Sequence, residues 1–309
     1  MIIQELADKK LIKPPDWLPT NTHYLTIMGS VAYGVSSDTS DMDIYGLAIP
    51  RKEMVFPHLA GHIMMPVNKD GKTFELVFNE QASIFTEWQQ HGIEDKSALA
   101  GKGRTYDFTI FNIVKYFDLL LDNNPNIIDS IYTPQECVLH VTHVGNLVRE
   151  HKDIFLHKGC FAKFKGYAYA QLHKMTNKEP IGKRKKIREE FGYDVKFGYH
   201  LVRLLNECEQ ILMNGTLDLR LNNEQLKAIR RGEVTEKEVL SWASDKEKQL
   251  EELFVKSTLP AKPRKDEIKK LLLECLDYHY GTLDKCIELP DKYKQLLTEV
   301  KILIDKSGM

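Results

Sequence analysis

Two carboxylates one residue apart, Asp41 and Asp43, are the side chains whose type and spacing point most directly to chemistry. In an extended strand, residues two apart lie on the same face. The spacing therefore predicts Asp41 and Asp43 side by side, with Met42 and Ile44 turned toward a core. Parallel carboxylates repel each other unless a cation lies between them, and oxygen-only donors favour Mg2+ or Mn2+. A third acid would complete a site for two ions roughly 3.5–4 Å apart. One ion would activate a hydroxyl nucleophile; the other would hold a nucleoside triphosphate and its pyrophosphate leaving group. From the residues alone, two candidates stand for that third acid: Asp107 within Tyr106–Phe111, and Glu75 within Phe74–Phe78.

Asp-x-Asp by itself also describes a solvated acidic turn. Its context is more specific, because Met28-Gly29-Ser30 and then Gly34 precede Ser40-Asp41-Met42-Asp43-Ile44. Gly29-Ser30 reads as a tight turn where backbone approaches a ligand, and the residues after it suit a short helix whose free N–H groups face a phosphate.

Further along, Lys196, His200 and Arg203 recur at i, i+4 and i+7, a cationic stripe suited to a triphosphate or an RNA backbone. The same pattern describes an ordinary amphipathic helix with Phe197, Leu201, Leu204 and Leu205 on its apolar face. Lys183-Arg184-Lys185-Lys186-Ile187-Arg188 is a dense basic run that could grip phosphates, or be a solvated loop or helix start. Lys163, Lys165 and Lys174 add cations, and Tyr167 and Tyr169 offer either stacking surfaces or core. The pairs His140/His143 and His58/His62 have zinc-like spacing, but no cysteine or carboxylate completes either set.

The elements that must position these residues divide the chain. Tyr24–Met28, Asp43–Ile49, Phe74–Phe78 and Tyr106–Phe111 read as strands. A helix over Ile113–Leu121 follows and ends at Asn123-Asn124-Pro125-Asn126. Beyond Thr133 the pattern turns helical: Leu139–His151, Phe164–Met175, Val195–Met213, Glu236–Val255, Lys265–Cys275 and Tyr293–Ile304, with Leu259–Pro263 as a connector. The expected organisation is an α/β (α+β) domain over residues 1–132 and a mostly α-helical domain over 133–309.

With 309 residues and 42% hydrophobic residues, two ordinary domains can be built. The formal net charge of −1 gives no global pull toward polyanions, so any nucleic-acid surface must be local. No apolar run is long enough to span a bilayer, and Met1–Pro15 does not read as a signal peptide. The five cysteines, Cys137, Cys160, Cys208, Cys275 and Cys286, are scattered and fit free thiols in a reducing cytoplasm.

The Gly29-Ser30 to Asp41-Met42-Asp43 segment resembles the signature of the polymerase-β nucleotidyltransferase superfamily. More narrowly, the chain is similar to the YcgL-like and RlaP-like nucleotidyltransferases, the latter named for an RNA repair pathway. The resemblance continues through Tyr106–Phe111, Lys115-Tyr116-Phe117, Asn124-Pro125-Asn126, Phe164–Ala168 with Gln171-Leu172, Tyr193–Leu204 and Gly215-Thr216-Leu217, roughly residues 22–220.

It implies a mixed sheet in the first domain and a helical domain that binds nucleotide and acceptor. It also implies Asp107, rather than Glu75, as the third carboxylate. Asp41, Asp43 and Asp107 would then be both catalytic and metal-binding, with two Mg2+ or Mn2+ ions. Gly29, Ser30, Lys196, His200 and Arg203 would bind nucleotide, ATP among the candidates; Lys183, Arg184, Lys185, Lys186 and Arg188 are, by their charge, the candidate RNA-binding residues. The implied reaction moves a nucleoside monophosphate from a nucleoside triphosphate to a hydroxyl, first of all an RNA 3′ end in tRNA or damaged RNA, releasing pyrophosphate. Two alternatives stand beside it: a small-molecule or protein hydroxyl as acceptor, and a non-catalytic nucleotide- or RNA-binding module.

Overall fold

The structure is a computed structural model that describes residues 1–36, 41–52, 65–69, 73–77, 85–101, 103–177, 179 and 182–281. Helices α1 (Ile2–Asp8) and α2 (Leu18–Asn21) lead into β1 (Thr22–Ile27), every residue of which is buried. A single helical turn, α3 (Gly29–Ala32), precedes β2 (Met42–Ala48). Strands β3 (Met65–Lys69), β4 (Thr73–Val77), β5 (Glu87–Asp95) and β6 (Arg104–Asn112) follow. Then come α4 (Ile113–Leu121), α5 (Pro125–Tyr132), β7 (Val138–Val141) and α6 (His143–Glu150). The remaining helices are α7 (Cys160–Asn177), α8 (Lys183–Phe191), α9 (Val195–Asn214), α10 (Asn223–Arg230), α11 (Glu236–Lys256) and α12 (Lys265–Tyr280).

Five strands form one sheet in the order β5-β6-β2-β1-β7. The β2–β6 pair is parallel and the others are antiparallel, so the sheet is mixed, as expected. Alternation sorts its faces: Ile44, Phe108 and Ile110 are fully buried, while Asp43, Tyr45 and Asp107 are only partly so. Strands β3 and β4 form a separate antiparallel pair. On the helical side, α7, α10 and α11 all pack on α9. That helix is surrounded, and even its polar Arg203, Asn206, Glu207 and Gln210 are buried.

Two compact units result: residues 1–49 with 86–273, and residues 50–85 with 274–309. Residues 132 and 133 both fall inside the first unit, and β7, just beyond them, pairs with β1. The helix expected over Leu139–His151 is instead a strand and a shorter helix, β7 and α6, so His140 and His143 do not share one helix. Cys137, Cys160, Cys208 and Cys275 are free and buried. The helix expected over Tyr293–Ile304, the pair His58/His62 and Cys286 lie outside the described residues. Among the described residues no helix is long and apolar enough to cross a membrane.

Candidate active site

Parallel pairing of β2 with β6 sets Asp43 directly against Asp107. In-register neighbours on adjacent strands point to the same face, so the two carboxyl groups share it. Two residues on, Tyr45 pairs with Thr109, and all four side chains line one cavity of about 760 Å3. Burial, then the like charge of Asp107, holds the Asp43 carboxyl above the usual carboxylate range. Asp41 adds to that effect, while Lys196 and His91 oppose it. Burial pushes the Tyr45 phenol up to about 12.

Asp41 stands just before β2 and is exposed. The structure thus joins two of the three expected acids on adjacent strands and leaves the third exposed, outside the residues that line the cavity. Among the described residues, no group of three or more His, Cys, Asp or Glu side chains is gathered closely enough to hold a metal ion. Asp43 and Asp107 nevertheless offer the oxygen-only donors that hard divalent cations take, and their mutual repulsion is what such a cation relieves. Glu75, the other candidate for the third acid, lies on β4, outside the five-stranded sheet.

The Gly29 turn is built around Asp43. Gly29 has φ +65°, and a Cβ there would collide with Asp43 Oδ2. Glycine is required for both reasons: the left-handed backbone and the close approach. Ser30 follows it in the short α3. The end of α3 and the loop after it are held from the helical side, with Arg220 Nε donating to the Ala32 carbonyl at 3.3 Å and Arg230 Nη1 to the Val35 carbonyl at 2.6 Å.

Asp107 is aimed by a feature the sequence reading missed. Gln90 pairs with Phe108 and Ile93 with Tyr106, so His91 and Gly92 together face Asp107 in a β-bulge. Gly92, at φ +66°, donates its N–H to Asp107 Oδ1 at 2.6 Å. His91 Nδ1 lies 3.7 Å from the same oxygen. The available signal was His-Gly inside a polar run, where an isolated glycine marks a bulge.

Of the predicted cationic stripe on α9, Lys196 is exposed and His200 and Arg203 line the cavity. Burial, and then the cations Arg203, Lys196, Arg184 and Arg230, push the His200 imidazole well below its usual range, so it is neutral near pH 7. Arg203 is only 5% exposed and is committed elsewhere. It pairs with Asp129 and, at 3.0 Å, with Glu207, and its guanidinium lies 4.3 Å from the centre of the Tyr33 ring. Tyr33 Oη in turn donates to Asp129 Oδ2 at 2.8 Å.

The basic run forms the start of α8. Arg184 Nη1 pairs with Asp194 Oδ2 at 2.8 Å, and Asp194 caps α9 by accepting from the Lys196 N–H at 3.0 Å. Lys185 is 3.9 Å from Glu189, and Lys185, Lys186 and Arg188 are exposed. Lys183 opens the helix. From α7, Lys163, Tyr167, Gln171 and Lys174 line the cavity, whereas Tyr169 and Lys165 pair with Glu247 away from it.

Among known families, the model of RlaP, described as an RNA repair pathway DNA polymerase beta family, matches residues 8–274. A search of curated proteins returns no match.

Proposed function

The chain belongs to the RNA repair pathway DNA polymerase beta family, a polymerase-β-like nucleotidyltransferase family, and from that premise we propose that it transfers a nucleoside monophosphate from a nucleoside triphosphate to the 3′ hydroxyl of RNA. The observation that carries this reading is the in-register pair Asp43–Asp107 in the wall of a cavity that also holds His200 and Arg203. In the proposed reaction the RNA hydroxyl oxygen forms a bond to the α-phosphorus, the bond to pyrophosphate breaks, and the hydroxyl proton passes to Asp107.

Gly92 occupies only Oδ1 of Asp107 among the described residues, which leaves Oδ2 for that proton. When bound, Mg2+ or Mn2+ held by Asp43 and Asp107, with Asp41 just before β2, would neutralise charge on the phosphates. Lys196 brings a positive charge to bear on the Asp43 side, where phosphates would lie. The α8 cations supply a local surface for an RNA backbone despite the near-neutral whole.

Incubating the protein with each α-labelled nucleoside triphosphate, Mg2+ or Mn2+ and bulk RNA tests this reading. RNA 3′ ends should acquire label, and Asp107→Ala should lower the rate by roughly 10²–10⁴-fold. Label appearing on a protein or small molecule instead would replace RNA as acceptor, and no label with any nucleotide would overturn the proposal.

A further inference from the structure

The sheet side of the cavity accounts for the reacting groups, and the α7 side has no role in that chemistry. There α7 presents Gly166, Tyr167, Ala170 and Gln171 to the same cavity, one stripe of the helix by spacing. Gly166 is the informative member. It lies in the interior of an 18-residue helix, and a Cβ added to it would meet nothing within 4 Å. Glycine is a poorer helix residue than alanine, yet neither its packing nor its backbone conformation calls for it.

Beside it, Tyr167 is pinned through Oη by Asn124 Nδ2 at 2.9 Å, so its ring is held in place. Gln171 and Asn126, both in the cavity wall, carry carboxamides that donate and accept hydrogen bonds. In the same wall Arg203 is 5% exposed, and its Nε has no hydrogen-bond partner.

A flat group with mixed donors and acceptors on its edge matches this wall. We propose that it is the nucleobase subsite for the incoming nucleoside triphosphate: the base lies over Gly166 and Ala170, stacks on Tyr167, and is read at its edge by Gln171 and Asn126. The inference rests on the nucleotidyltransferase reading above. The nucleotide is favoured over an RNA strand because the cavity, about 760 Å3, falls within the range of small-molecule sites. The two carboxylates also share it, so one bound molecule spans base wall and reacting phosphorus.

Equilibrium binding of each of the four nucleoside triphosphates with Mn2+, and of a labelled single-stranded RNA, tests it in the full chain. The variants are Gly166→Leu, Tyr167→Ala and, as control, Tyr169→Ala on the outer face of the same helix. Gly166→Leu should melt no lower than the parent, since leucine favours helix and fills only open space, yet it should weaken nucleotide binding at least about tenfold by occupying the base position. Tyr167→Ala should raise the nucleotide Kd on the order of 10- to 100-fold, while Tyr169→Ala leaves it unchanged.

Unchanged nucleotide binding in both cavity variants overturns the proposal. So does a loss confined to RNA binding, or a parent protein that binds no nucleoside triphosphate. Nucleotide binding that responds as expected, in a protein that never labels RNA, upholds the base subsite and rejects the RNA acceptor instead.

Discussion

Asp43 is held in a position that costs stability. Its carboxyl is partly buried, faces Asp107 and feels Asp41, and those causes raise its pKa. A folded carboxyl with a raised pKa binds its proton more readily than the unfolded chain does. Stability is therefore lost as pH rises from the ordinary carboxyl range through the raised value. Asp43→Asn removes that charge at similar shape. Thermal melts across pH 4–8 should show the variant melting above the parent at pH 7, with the gap closing toward pH 4, while nucleotidyl transfer is abolished. Mg2+ or Mn2+ should raise the melting temperature of the parent and not of the variant; a variant that melts at or below the parent at pH 7 contradicts this account. Spacing alone singled out Asp43 as a strand carboxylate, whereas Asp41, expected beside it on the same strand, stands just before β2. Asp107 was not separable from Glu75 without a family likeness, because strand pairing is long-range and no local pattern encodes which strands become neighbours. His91 and Gly92 were missed because a polar edge strand carries little apolar alternation to betray it.

Among the elements, α9 shows where local pattern reaches its limit. Its apolar face was correctly read from Phe197, Leu201, Leu204 and Leu205, all buried. Its polar face was expected in solvent or on phosphates, yet Arg203 and Glu207 are buried because other helices cover that side too. Arg203 there joins three elements: the turn after α3 through Tyr33, α5 through Asp129, and its own helix through Glu207. Burial raises both acids' pKa values, and Arg203 opposes that shift in each. Removing the cation leaves two buried acids without their partner, and breaking a buried ion pair typically costs about 3–5 kcal/mol. Urea unfolding of Arg203→Met should register a loss of that order, and the triple variant Arg203→Met/Asp129→Asn/Glu207→Gln should recover much of it. A loss below about 1 kcal/mol would mean that the cluster does not organise the site. Activity measurements on Arg203 variants therefore need the stability readout beside them, since the turn bearing Gly29 is tied to this cluster.

At the scale of the whole molecule, charge is balanced and the sheet is not confined to the strand-rich part of the sequence. Beyond the shift from strand-rich to helix-rich sequence near residue 132, β7 still returns to pair with β1. A formal net charge of −1 leaves the proposed RNA binding to depend on where cations cluster. The densest cluster begins α8, where the helix dipole is already positive. Cations there repel the helix end as well as each other, an arrangement that costs the free protein stability and that a polyanion relieves. Arg184 is neutralised by Asp194, whereas Lys185, Lys186 and Arg188 are exposed, with only a distant carboxylate near Lys185. Each phosphate contact to single-stranded nucleic acid contributes about 0.7 to the slope of log affinity against log salt. Replacing Lys185, Lys186 and Arg188 together by alanine should therefore flatten that slope for single-stranded RNA by up to about 2, weakening binding most at low salt. Nucleoside triphosphate binding, proposed above to use the cavity and not this surface, should keep its affinity. An unchanged slope would place the RNA track elsewhere, and a parallel loss of nucleotide binding would mean that α8 supports the cavity instead of extending it.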